Sequence, residues 1–182
     1  GLDHFSLRGV AKRAGVSHGA PAHHFSHADD LLTALAALSF ERFLHAMQRH
    51  ADAAGADPVQ RLAESGIGYI GYAAANPAMF DLQFFSGRVR HADPALSTAA
   101  SAAFAHLKEH VTAVLPDGCA PQRHRNAVAS MWATAHGLAT LFERARTGDD
   151  CNGKGRGLFG GIDFAERTNS FRTILRQTIA SL

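Results

Sequence analysis

The chain has 182 residues, 46% of them hydrophobic and 19% charged, with a formal net charge of +2. That is the composition of a folded globular protein of one domain or two small ones; intrinsic disorder and collagen-like repeats are excluded. No apolar run approaches the ~18 residues needed to cross a bilayer, and residues 1–10 do not read as a secretory signal. Two cysteines, Cys119 and Cys151, are too few for a disulfide scaffold or a four-cysteine zinc site, so a reducing cytoplasm is expected.

The charge is not spread evenly. Residues 1–25 hold Arg8, Lys12 and Arg13 against Asp3, so the rest of the chain sums to zero. His4, His18, His23 and His24 lie in the same segment and add positive charge as pH falls. A basic head on a neutral body suits a polyanion, and nucleic acid is the first candidate.

In chain order, helix signals dominate and alternating β-branched runs are absent. Ser6 precedes an apolar-periodic run that Gly15 ends, with Leu7, Val10, Ala11 and Ala14 on one face and Arg8, Lys12 and Arg13 off it. Ser17 opens a second, two-turn helix that ends at Phe25. Ser26 precedes a long run from about Ala28 to Ala54. Further helices are expected over Pro58–Asn76, Pro77–Phe85, Pro94–Leu115 and Pro121–Thr147, with Asp163 capping the last one to Leu182. Residues 148–162 are too glycine-rich for helix and read as a long loop. The expected fold is all-α, about eight helices: a helix-turn-helix unit over residues 1–45 and a helical bundle over 46–182.

Residues 6–35, from Ser6-Leu-Arg-Gly-Val-Ala-Lys-Arg-Ala-Gly-Val-Ser-His-Gly-Ala-Pro-Ala-His-His-Phe25 through Asp-Leu-Leu-Thr-Ala-Leu35, resemble the DNA-binding unit of the TetR family of transcriptional regulators. Trp132-Ala-Thr-Ala-His-Gly137 resembles the Trp…His-Gly signature of a subgroup of its C-terminal domains. The resemblance implies a cytoplasmic homodimer on double-stranded DNA carrying a palindromic operator, with Ser17–His24 as recognition helix. By position, Ser6 and Arg8 would contact phosphates, Ser17, His18, Gly19 and Ala20 would lie near base edges, and His23 and His24 would meet the backbone. Residues 46–182 would bind a small-molecule effector and dimerise through 121–147 and 163–182. The expected activity is repression relieved by a small apolar or amphipathic ligand. Three departures stand out: Ala22 replaces a tyrosine, Ala28 replaces a lysine, and the family's first helix would precede Gly1, so the sequence reads as incomplete.

Helical-bundle pockets are mostly apolar with a few polar anchors. Tyr69, Tyr72, Met79, Phe80, Phe84, Phe104, Met131, Trp132 and His136 are the candidates here, with Trp132 and His136 four apart on one helix face. Each ring alone also suits a packed core, and His136 a hydrogen-bonded core histidine. Gly66, Gly68 and Gly71 inside a helix imply either close packing or a bend beside a cavity.

Three motifs lose their meaning in context. Gly15-Val-Ser17-His-Gly19 matches a nucleophile elbow but follows a helix instead of a strand. His106-Leu-Lys-Glu109-His110 has zinc-ligand spacing but no third ligand, and reads as a solvated face. Residues 148–155 end in Gly155, where a phosphate-binding loop needs Ser or Thr. No catalytic residue, cofactor or resident metal is expected. Two rival readings stay open: a helical dimer without DNA binding, serving as ligand carrier or interaction module, and a zinc-dependent hydrolase on His106, Glu109 and His110.

Overall fold

The computed structural model describes residues 5–147 and 164–182. The 148–162 loop, with Cys151 and the phosphate-loop-like stretch, and Asp163 as a cap lie outside them. Among the described residues every regular element is helical: α1 (Leu7–Ala14), a single 3-10 turn (Ala20–His23), α2 (Ala28–Ala53), α3 (Pro58–Ala75), α4 (Pro77–Phe84), α5 (Pro94–Val114), α6 (Pro121–Thr147) and α7 (Phe164–Ala180). The all-α expectation holds, with seven α-helices and that one turn.

Most helix starts follow from local chemistry. Ser6 caps α1 by accepting the Gly9 N–H at 3.2 Å, and Gly15 closes it in the left-handed region at φ 69°. Asp57 accepts from Val59 at 3.0 Å, and Asp93 from Ala95 and Leu96 at 3.0 and 3.1 Å, each just before a helix-opening proline. At α2 the carboxylate of Asp30 reaches back to the His27 N–H at 2.9 Å, so His27 occupies the cap position.

The second head helix departs from expectation. Ser17–His24 does not form two α-turns; it forms a turn at His18–Gly19 and then the 3-10 turn, whose cap position is Gly19, not Ser17. Pro21 is the reason. In an α-helix its N–H would bond to the Ser17 carbonyl, and proline has none. The Ser17 carbonyl takes the Ala20 N–H instead, at 3.0 Å, and Gly19 takes that of Ala22 at 3.0 Å, both the tighter i→i+3 pattern.

Helix α3 is buried nearly all round between Leu62 and Tyr72, so it is the axis of the bundle. Against it lie α2, with Leu32, Ala36, Phe40, Phe43 and Met47 in one stripe, and α7, through Phe171, Leu175 and Ile179. Close packing explains the glycines. A methyl group on Gly68 would stand 2.7 Å from the Ala46 carbonyl oxygen and 2.9 Å from the Met47 Cα. Arg172 of α7 forks onto the Glu64 carboxylate of α3, and its hydrogen bond holds that carboxyl below its ordinary range.

Candidate functional site

Two regions qualify. The first is the head. Ser6, Arg8, Ser17, His18, Gly19, His23 and His24 are all exposed, and Ala20 is half-buried. Ser6, Arg8, Gly9, Lys12 and His18 surround one shallow hollow. The hollow gathers residues from both ends of α1 and His18 from the corner after it, leaving Ser17, Gly19, Ala20, His23 and His24 outside. The Ser6 hydroxyl oxygen takes the cap bond, which leaves its O–H free to donate. The side chains of Ser6, Arg8, Lys12 and His18 can each give a hydrogen bond and no acidic residue lines the hollow, so its chemistry suits an anion. Ala11 is the one buried residue of α1, whereas Leu7 and Val10 are half-buried.

The second is a cavity of about 370 Å³ inside the bundle. Helix α2 contributes Phe40, Phe43 and Met47; α3 contributes Leu62, Ser65, Gly66 and Tyr69; α4 contributes Phe84. Ala100, Ala103, Phe104 and Leu107 of α5 and Met131, Trp132 and Ala135 of α6 complete it. Five of the nine expected residues are therefore on the wall: Tyr69, Phe84, Phe104, Met131 and Trp132. Phe104 and Trp132 meet edge to face at 6.1 Å and are 43% and 45% exposed, so they stand where the cavity meets solvent.

The other four stand off the wall, Met79 as a half-buried residue packed against the core. The Tyr72 hydroxyl bonds to Ser39 Oγ at 2.7 Å, and Phe80 is fully buried. His136 shares a 2.7 Å hydrogen bond with the Tyr69 hydroxyl and packs at 4.9 Å from Phe84, so it braces two wall residues. Burial moves both members of that pair toward neutrality: it raises the Tyr69 phenol and lowers the His136 imidazole.

Sequence reasoning missed the α2 wall and Ser65. The α2 stripe carried the signal, since Phe40, Phe43 and Met47 recur at helical spacing, but the helix reads first as a connector. Ser65 matters because its Oγ lies 3.0 Å from Nε2 of His106.

The reading of His106, Glu109 and His110 as a solvated face is corrected. Glu109 is exposed, but His106 and His110 are each only 8% exposed. His110 donates from Nδ1 to the His106 carbonyl at 3.0 Å, and the rings lie 4.2 Å apart. Burial first, and then His110, pushes His106 down to about 4. No cluster of three metal-ligating side chains occurs among the described residues. Ser65 lies mid-helix, where the helix uses the backbone N–H groups and leaves none for an oxyanion. The Ser65–His106 pair is thus a neutral hydrogen-bonding patch at the cavity wall.

No helix among the described residues is long and apolar enough to cross a membrane. No curated protein matches the chain. Among solved structures, a protein of unknown function from Rhodococcus sp. RHA1 superposes with a TM-score of 0.74 and 28% identity, over 97% of this chain and 86% of its own. SCO4313, named as a candidate regulatory protein, superposes with a TM-score of 0.66 and 24% identity, over 93% and 84%. Residues 62–150 match the family described as the tetracyclin repressor-like C-terminal domain. That stretch supplies most of the cavity wall, from Leu62 to Ala135, so the part of the chain that builds the cavity is the part similar to the tetracyclin repressor-like C-terminal domain.

Proposed function

We propose that the chain is a ligand-responsive transcriptional regulator that binds DNA through residues 1–45 and an effector through residues 46–182. The observation that carries this is the coexistence of two unlike sites, a donor-rich head and an apolar cavity, with one long helix running on from the first into the wall of the second. Helix α2 starts beside the donor-rich head and contributes Phe40, Phe43 and Met47 to the apolar cavity. The tetracyclin repressor-like match and the regulatory name of SCO4313 support the same reading.

In this reading Ser6, Arg8, Lys12 and His18 hold phosphates, while Ser17, Gly19 and Ala20 approach base edges and His23 and His24 flank the backbone. Two copies joined through α6 and α7 present two heads to a palindrome. The ligand-free dimer represses. A ligand with higher affinity for another head spacing lowers DNA affinity, by no more than that difference in affinity.

The test is binding to DNA flanking its own gene, as a function of salt. Sequence-selective binding is expected, and Arg8→Ala should lower the slope of log affinity against log salt by about 2, one phosphate contact in each of the two heads. Weak, sequence-blind binding would favour a helical dimer without DNA binding. Ala22, Ala28 and the single-turn recognition element give that alternative its weight.

A further inference from the structure

We infer that the bundle cavity is built for an uncharged ligand with an apolar body and one hydrogen-bonding group, received by Ser65 with His106 behind it. The inference rests on the cavity being the effector site, and it adds the chemical class of the effector.

The wall has no Asp, Glu, Lys, Arg or His among its fifteen residues. Six of them are aromatic. A carboxylate or an ammonium placed inside would lose its water without gaining a counter-charge, a cost of several kcal/mol in order of magnitude. The groups around the cavity report the same environment from both signs. Tyr69 is driven away from its anion, and His106 and His136 are driven away from their cations. The site therefore resists negative and positive charge alike. The Lys108 ammonium lies 5.8 Å from the Phe104 ring centroid and is not part of the wall. The charges that act on His106 are Glu109, Asp52 and Arg61, together with His110; none of them lines the cavity either.

Polar recognition is left to a few groups. The Tyr69 hydroxyl is held by both His136 and Trp132, whereas the Ser65 hydroxyl, also on the wall, shares one hydrogen bond, with His106 Nε2 at 3.0 Å. A hydroxyl backed by a neutral histidine can give or accept a hydrogen bond, so an alcohol or a carbonyl both fit. The volume lies at the small end of ligand pockets, which points to a compact molecule.

Trp132 is the chain's single tryptophan and stands at the wall, so its emission reports occupancy. The experiment titrates the whole chain at pH 7.4, without DNA, with 1-decanol, decanoate and decylammonium, which share a ten-carbon body and differ in charge. Decanol should shift the emission saturably, with both ions at least tenfold weaker. Ser65→Ala should weaken decanol several-fold while leaving n-butylbenzene, which has no polar group, unchanged. Ala103→Phe, which fills the cavity, should abolish decanol binding. Either ion binding as tightly as decanol overturns the inference, as does no saturable shift with any of the three probes. Neither of those results touches the DNA-binding reading, which is measured on DNA with no probe present. Conversely, decanol can bind while the DNA assay fails.

Discussion

His106 shows what a single buried imidazole does to the acid limb of stability. The unfolded chain takes up this proton near the ordinary histidine value of 6.5, whereas the folded chain holds it off to about 4. Between those values the unfolded state binds more protons, so acidification favours unfolding. The contribution is intact above pH 6.5 and declines as pH falls toward 4, by at most about 1.4 kcal/mol per pH unit. His136, also lowered by burial, acts in the same direction. Urea unfolding between pH 7 and 5 should show the decline, and His106→Gln should make it shallower without removing it. The position was legible in the sequence, though the chemistry hid it. Leu96, Ala99, Ala103, His106 and His110 recur at spacings of three and four and are all buried. Two histidines and a glutamate in that stretch look like a wet face until Ser65, 41 residues earlier, is known to lie opposite. Contacts between distant helices of this kind are what local pattern does not encode.

The helices themselves were largely legible, because their boundaries are written in short-range chemistry. Asp57-Pro58 and Asp93-Pro94 couple a capping carboxylate to a residue that needs no N–H, and both starts appear where the sequence puts them. The second head helix failed the same reasoning because one residue, Pro21, four positions after Ser17, outweighs the start signal there. Which of two meanings the α3 glycines carried also needed the neighbouring helix. Gly68 faces the backbone of α2, whereas a methyl on Gly66 would meet only the flexible end of Leu175, 2.8 Å away. Gly68→Ala gains about 1 kcal/mol of helix propensity but incurs overpacking of about 1–3 kcal/mol against backbone that has no rotamer to yield. A net loss of up to about 2 kcal/mol is expected in urea unfolding, with Gly66→Ala closer to neutral.

Across the whole molecule, cavity and head are joined twice. One join is α2. The other is the segment between α4 and α5, directly after the cavity residue Phe84. There Arg88 Nε and Nη2 reach Asp29 Oδ1 at 2.8 and 2.7 Å, the Arg90 guanidinium meets Asp30, and the Arg90 N–H donates to Thr33 Oγ1 at 3.1 Å. All three acceptors lie in the first two turns of α2, next to the head. If this segment relays occupancy, replacing both Arg88 and Arg90 by Ala should leave 1-decanol affinity within about twofold. It should also narrow the gap between DNA affinities with and without decanol. Partly exposed pairs contribute about 0–1 kcal/mol each, so the narrowing should be at most about fivefold per pair. Competition binding on the operator, with Trp132 emission in parallel, checks both quantities. The length of α2 then sets the gain of the device. From Phe43 at the cavity to Ala28 at the head is a rigid arm of about 22 Å, at 1.5 Å per residue. A pivot of about 10° at the cavity end would swing the head by about 4 Å, more than the ~3.4 Å rise of one base-pair step. In a two-fold pair both arms swing, so displacements too small to disturb core packing are enough to put the two heads out of phase with the duplex.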